Sequence, residues 1–172
     1  CTFESNGKTL DTTNTTTILY TTTDSNTIDM PNWVVKSNTY SNGVGTVVTY
    51  GKLTAIARDI FRNCTTLKSV VIPTGVTVID SNAFYGCTAL ESVTIPESVT
   101  EIGSGVFLNC SALQEFNGKF ASADKRCLIK NNEIIAFAPA GVTAYTIPEV
   151  VTAIGNTAFA YCYDLADITL PQ

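Results

Sequence analysis

The chain has no histidine anywhere in its 172 residues. Without imidazole it lacks the commonest general base, the commonest metal ligand and every catalytic triad that depends on one. A glycosidase built on a carboxylate pair survives this exclusion, but the enzymatic options narrow sharply. Charge is also scarce: Asp, Glu, Lys and Arg make up 15% of the chain, where about a quarter is usual in soluble domains. The net charge is −5, with no run of Lys or Arg and no basic aromatic cluster. Nucleic acid, whose binding requires neutralised phosphates, is therefore not an expected partner. No apolar stretch approaches the roughly 18 residues of a membrane-crossing helix, and no segment reads as a signal peptide. The six cysteines include no C-x-x-C pair, the close spacing at which metal and redox sites gather thiols. No cofactor and no metal site are expected.

Neutral polar residues take the place of charge, above all 27 threonines. A β-branched, uncharged, hydroxyl-bearing side chain suits exposed strand faces and extracellular surfaces. The length fits one domain with a sizeable core.

The dominant signal is an internal repeat. At an offset of 23 residues Ile56, Ile79 and Ile102 align, as do Phe61, Phe84 and Phe107; Cys64, Cys87 and Cys110; and Leu67, Leu90 and Leu113. Val70, Val93 and Phe116 form a further column, and Pro73 aligns with Pro96. Another copy follows with Ile154, Phe159, Cys162, Leu165, Ile168, Leu170 and Pro171. The step from Cys110 to Cys162 is 52 residues, or 23 plus 29. One longer unit, at about 116–148, thus interrupts the regular ones.

Each unit has a physical reading. Leu90–Pro96 alternates apolar and polar residues over its second half, as a half-buried strand does, and Pro96, lacking an N–H, ends it. Val99–Ile102 is a second short extended piece. Asp80-Ser81-Asn82 and Gly103-Ser104 then read as caps of a short helical turn bearing the Phe and Cys. No unit can bury its own apolar residues; stacked units bury them as ladders. The predicted fold is an α/β repeat: a solenoid of about 23-residue units, each with a strand, a short second strand and a short helical turn.

The pattern I-x-x-x-x-F-x-x-C-x-x-L-x-x-V-x-I-P-x-x-V-x-x-I resembles the BspA-like leucine-rich repeat of bacterial surface proteins. Ala123–Ile129, the Asn131-Asn132 turn and Ile134–Gly141 resemble that family's hairpin variant. Ile18–Asp24 and Ser37–Gly45 are similar to its N-terminal entry module. The resemblance covers about residues 18–172 and is most specific from Leu53 to Pro171. It implies a right-handed leucine-rich-repeat solenoid, a secreted or surface-attached location, and adhesion to host proteins or neighbouring cells.

Residues 1–43 are expected to form a tether and a β-rich cap, and 44–172 the solenoid. Val44, Val47, Thr49, Leu53 and Ile56 keep the column spacing, so 44–56 reads as the first rung, with Trp33 plugging the core beneath it. The final strand, Asp167–Leu170, has no later repeat to pair with. It predicts end-to-end self-association through that edge, or an edge shielded by Asp164 and Asp167.

Cys64, Cys87, Cys110 and Cys162 share one repeat column and read as buried thiols acting as small hydrophobes; Cys127 reads the same way. Phe61, Phe84, Phe107 and Phe159 form the parallel aromatic column. Cys1 belongs to no column. With the Thr/Ser/Asn-rich residues 2–17 behind it as a tether, it fits the first residue of an outer-membrane lipid-anchored chain; the plainer reading is that the sequence simply starts there. Asn14-Thr15-Thr16, Asn63-Cys64-Thr65 and Asn109-Cys110-Ser111 match the glycosylation triplet, a match expected to be idle in a bacterial protein. Glu91, Glu97, Glu101 and Asp80 read as solvated surface charge. If Leu, Val and Ile point inward, then Thr46, Val48, Ser69, Val71, Ser92, Thr94, Glu115, Asn117, Asp167 and Thr169 line the outer face of the strand ladder. They form a hydroxyl-rich strip that turns acidic toward the C-terminal end. Repeat proteins use such extended faces for binding. Tyr85, Tyr161 and Tyr163, near the turns, could supply the aromatic anchors that the strip lacks, although the ordinary role of such rings is to cover the core. The expected function is recognition or adhesion, binding protein or glycan without catalysis. The rival is a structural spacer that binds nothing, and a weaker rival is a carbohydrate-active enzyme.

Overall fold

The computed structural model describes residues 15–22 and 35–171; Cys1 and Trp33 lie outside them. The strands run in chain order as β1 (Thr15–Thr22), β2 (Val35–Ser41), β3 (Val44–Tyr50), β4 (Ala55–Ile56), β5 (Leu67–Val71), β6 (Val78–Ile79) and β7 (Ser92–Ile95). They continue as β8 (Glu101–Ile102), β9 (Glu115–Gly118), β10 (Cys127–Lys130), β11 (Glu133–Phe137), β12 (Ala144–Thr146), β13 (Ala153–Ile154) and β14 (Asp167–Thr169).

The sequence columns become hydrogen-bonded ladders. β5, β7 and β9 pair in parallel with Val70 opposite Val93 and Val93 opposite Phe116, one repeat apart. β4, β6 and β8 pair likewise, joining Ile56, Ile79 and Ile102. Equal unit length is what keeps both ladders in register. The Pro73 and Pro96 carbonyls accept from the Val76 and Val99 N–H groups, so each long strand ends in a tight turn. The core between the ladders is filled by Phe61, Phe84, Leu67, Leu90, Val93, Leu113 and Phe116.

The helical turns expected from the sequence are absent: no segment is helical among the described residues. Asp59 and Asn63, Asn82 and Gly86, Gly105 and Asn109, and Thr157 and Tyr161 all have positive φ, from 57° to 73°. Two left-handed residues four apart in each of these four copies are incompatible with a right-handed helix. Asp, Asn and Gly tolerate that conformation best. The backbone groups point along the solenoid instead. Phe61 and Asn63 donate to the Ala83 and Tyr85 carbonyls at 2.8 and 2.7 Å, and Phe84 and Gly86 to those of Val106 and Leu108 at 3.0 and 2.8 Å. The sequence motif read as a helix cap is thus a third ladder made of turns.

The N-terminal region also departs from expectation. β3 does not stack as a parallel first rung. It forms a hairpin with β2 around Asn42 and Gly43, whose φ values are 51° and 80°, the doubly left-handed geometry of a two-residue hairpin turn. β1 then slots between β3 and β5, antiparallel to both. Its edge covers the first solenoid strand, and Ile18, Tyr20 and Val47 enter the core. Ile56 does join the rung predicted for it, through β4.

The long unit carries the β10–β11 hairpin, turned by Asn131 and Asn132, both with positive φ. β13 pairs in parallel with β11, and β14 with β12. A second, smaller core gathers Cys127, Ile134, Phe137, Tyr145, Ile147, Val151 and Ala158. Leu170 beyond β14 is 63% exposed, and among the described residues β14 has a strand neighbour on one side only.

Candidate functional site

The six-stranded sheet has the order β2-β3-β1-β5-β7-β9. Side chains alternate between its two faces. The row Tyr40–Gly45–Tyr20–Val70–Val93–Phe116 crosses all six strands facing inward. Gly45 is required there, because a Cβ would lie 2.1 Å from the Tyr20 ring. The neighbouring row, Thr39–Thr46–Leu19–Val71–Thr94–Asn117, crosses the same six strands facing outward. Leu19 and Val71 lie directly opposite each other and are 43% and 44% exposed. Next to them Ser69, Ser92 and Glu115 form a second row, extended by the Thr21 hydroxyl, 2.7 Å from that of Ser69.

The structure therefore brings Ser69, Val71, Ser92, Thr94, Glu115 and Asn117 onto one face. It does not bring Asp167 and Thr169 there: they lie on β14 opposite Ala144 and Thr146, in a separate two-stranded sheet beyond the long unit. Glu115 is not a bare charge. Its carboxylate accepts from Asn117 Nδ2 at 2.9 Å and from Lys125 Nζ at 3.3 Å, and these two hold it below the usual carboxylate range. Leu19 and Thr39 were missed by the sequence reading, because β1 and β2 lie outside the 23-residue columns. The one available signal was the alternation Ile18–Leu19–Tyr20–Thr21, which puts Leu19 and Thr21 on the face opposite Ile18 and Tyr20.

The cysteine and phenylalanine columns pack together. Cys87 Sγ donates to the Phe61 carbonyl at 3.0 Å and Cys110 Sγ to that of Phe84 at 3.2 Å. Phe61, Phe84 and Phe107 stack with centroids 4.9 and 5.6 Å apart. Burial pushes the Cys87 thiol well above its ordinary value, and those of Cys110 and Cys127 up to about 12. Cys64 and Cys162 are half-buried, and these five thiols are unbridged. Phe159 does not continue the stack: it packs on Phe137 in the second core, while Phe116 meets Phe107 edge-on. Asp80 accepts from the Ser81 N–H and Glu91 pairs with Lys68 at 3.4 Å. Among the described residues no three of His, Cys, Asp and Glu gather into a set that could hold a metal.

On the turn side, Tyr85 and Tyr161 meet edge to face at 6.4 Å, and Tyr161 and Tyr163 likewise at 6.1 Å. The Arg62 guanidinium lies 4.6 Å from the centre of the Tyr85 ring. Tyr161 and Tyr163 are 39% and 80% exposed.

The BspA type Leucine rich repeat region matches this chain in six copies, over residues 35–134 and 129–172. A leucine rich cell surface protein from Faecalibacterium prausnitzii is similar in structure. It is 27% identical with a TM-score of 0.56, over 69% of this chain and 39% of that one. A leucine-rich repeat protein from Bacteroides ovatus is 29% identical with a TM-score of 0.50, over 78% of this chain and 32% of that one. The chain thus spans about a third of the length of these two proteins. No curated protein matches its sequence. With stacked 23-residue units, in-register ladders and a family match over most of its length, this chain belongs to the BspA-type leucine-rich repeat family.

Proposed function

We propose that the chain is a non-catalytic recognition module of a bacterial surface or secreted protein, and that it binds a partner protein through the outward face of its six-stranded sheet. The observation that carries this reading is the unbroken row from Thr39 to Asn117, with the exposed Leu19–Val71 pair at its middle. Exposed aliphatic side chains ringed by hydroxyls give an apolar centre with a polar rim, the usual build of a protein-binding patch. The likeness to a leucine rich cell surface protein supports the location. A panel of immobilised host-matrix proteins and glycans tests it. Ser92→Lys with Thr94→Lys, or Val71→Lys alone, is expected to abolish capture of a protein ligand. Binding that is unchanged in both variants rejects the sheet face and leaves the spacer reading.

A further inference from the structure

We propose that the turn side of the solenoid carries a platform for a neutral oligosaccharide, built from Tyr85, Tyr161 and Tyr163 with Arg62 at its margin. The first observation is backbone strain in an exposed aromatic residue. Tyr161 has φ 65°, and the matching residues of the other units are Asn63, Gly86 and Asn109 with φ 58°, 73° and 57°. Three units fill this left-handed position with the residues that suit it, and the last fills it with a bulky ring that does not. Strain of this kind persists where the ring has a use, and function is the hypothesis it raises. Burial is not that use, since Tyr161 is 39% exposed and its neighbour Tyr163 80%.

The second observation is where the strained ring goes. The long unit replaces its turn with a hairpin, so among the described residues the Phe107 and Asn109 N–H groups meet no carbonyl of a following rung. Tyr161 leans back over that gap to reach Tyr85, its hydroxyl 3.4 Å from that of Tyr85. This joins rings from non-adjacent units into one array. The cleft beneath, lined by Asn109, Thr157, Ala160 and Tyr161, has room of about 20 Å³, enough for about one water.

The third observation is charge. Arg62 donates to Asp59 at 3.0 Å as well as lying over Tyr85, and Asp59 also pairs with Arg58 at 3.7 Å, so the cation over Tyr85 is held in an ion pair. The net charge of −5 repels an anionic glycan as a whole and leaves a neutral one unaffected. The exposed ring of Tyr163, with the Tyr161 and Tyr85 hydroxyls beside it and the Arg62 guanidinium at the margin, suits a neutral sugar. The C–H face of a β-linked pyranose lies on a ring, and its hydroxyls bond these polar groups.

Titration of the whole chain with cellohexaose, laminarihexaose and chitohexaose, followed by tyrosine ring signals in NMR and by calorimetry, tests the proposal, with polygalacturonate as the anionic probe. At least one neutral hexasaccharide is expected to bind saturably. Tyr163→Ala, at a site too exposed to threaten the fold, should weaken it about tenfold or more. Tyr161→Asn should weaken it similarly while melting no lower than the wild type. Val71→Lys, on the sheet face, should leave it intact, so the two surfaces fail independently. Absence of binding to all three neutral probes overturns the proposal. So does full affinity in Tyr163→Ala, binding confined to polygalacturonate, or loss of a protein ligand rather than a sugar in Tyr163→Ala.

Discussion

The Cys87 thiol donates to the Phe61 carbonyl oxygen at 3.0 Å, across the step from one unit to the next. Cys110 and Phe84 repeat the contact one unit later. The column is thus a ladder of donors that occupies turn carbonyls, and not a stack of inert small hydrophobes alone. Cys87→Ala removes both the donor and the buried sulfur, and should cost about 1–2 kcal/mol. Cys87→Ser keeps a donor and should recover about half of that. Urea denaturation of the three proteins checks the order. A serine variant less stable than the alanine one shows that the thiol serves only by its bulk.

The same burial makes stability fall at alkaline pH. The Cys110 and Cys127 thiols are raised by burial from 9.0 to about 12. Raised acids contribute stability in full below their unfolded pKa. Between 9 and 12 the unfolded chain loses these protons while the folded chain keeps them, so stability falls with rising pH. Each such thiol should contribute a slope of about 1.4 kcal/mol per pH unit in that window. Cys110→Ala should show a shallower decline than the wild type in melts from pH 8 to 11. Equal slopes reject the assignment.

The stacked core was legible because equal spacing carries its own register. Once Ile56, Ile79 and Ile102 stand 23 apart, parallel ladders follow, as does the outward placing of Ser92 and Thr94. The turns were not legible, because Asp80-Ser81-Asn82 serves equally as a helix cap and as a left-handed corner. What decides is the neighbouring unit's carbonyl, which a single repeat does not show. The cap escaped for the opposite reason. β1 reaches β5 across a sequence separation of 48 residues between Thr21 and Ser69, with no period to announce it. The strip was followed too far, to Asp167 and Thr169, since column arithmetic passes over a long unit whose hairpin splits the sheet.

Glycine positions separate conformational strain from steric collision. Gly118 ends β9 with φ 84°, and a Cβ there would lie 2.1 Å from the Ile95 backbone oxygen, which accepts from Lys119. Gly141 has φ 72° with nothing within 4 Å. Gly118→Ala should therefore cost about 3 kcal/mol or more, since backbone must move, and Gly141→Ala only about 1 kcal/mol, the left-handed penalty alone. Thermal melts of the two variants check the gap. Equal losses show that the close approach at Ile95 relaxes freely.

Tyr20 decides whether the cap protects the solenoid. Its ring is buried across Gly45, and its hydroxyl donates to Asn38 Oδ1 at 2.8 Å, tying β1 to both β2 and β3. β1 in turn occupies the edge of β5 through Leu19, Tyr20 and Thr21. Tyr20→Ala should cost about 3–5 kcal/mol, as large-to-small changes of buried aromatics do. The loss should fall first on the cap, whose release bares the β5 edge to pairing with other chains. Hydrogen exchange should then show lost protection across β1–β3 before β7 and β9, and light scattering should rise on gentle heating. Uniform loss of protection through all the strands, without scattering, shows that cap and solenoid melt as one unit and that the edge is never bared alone.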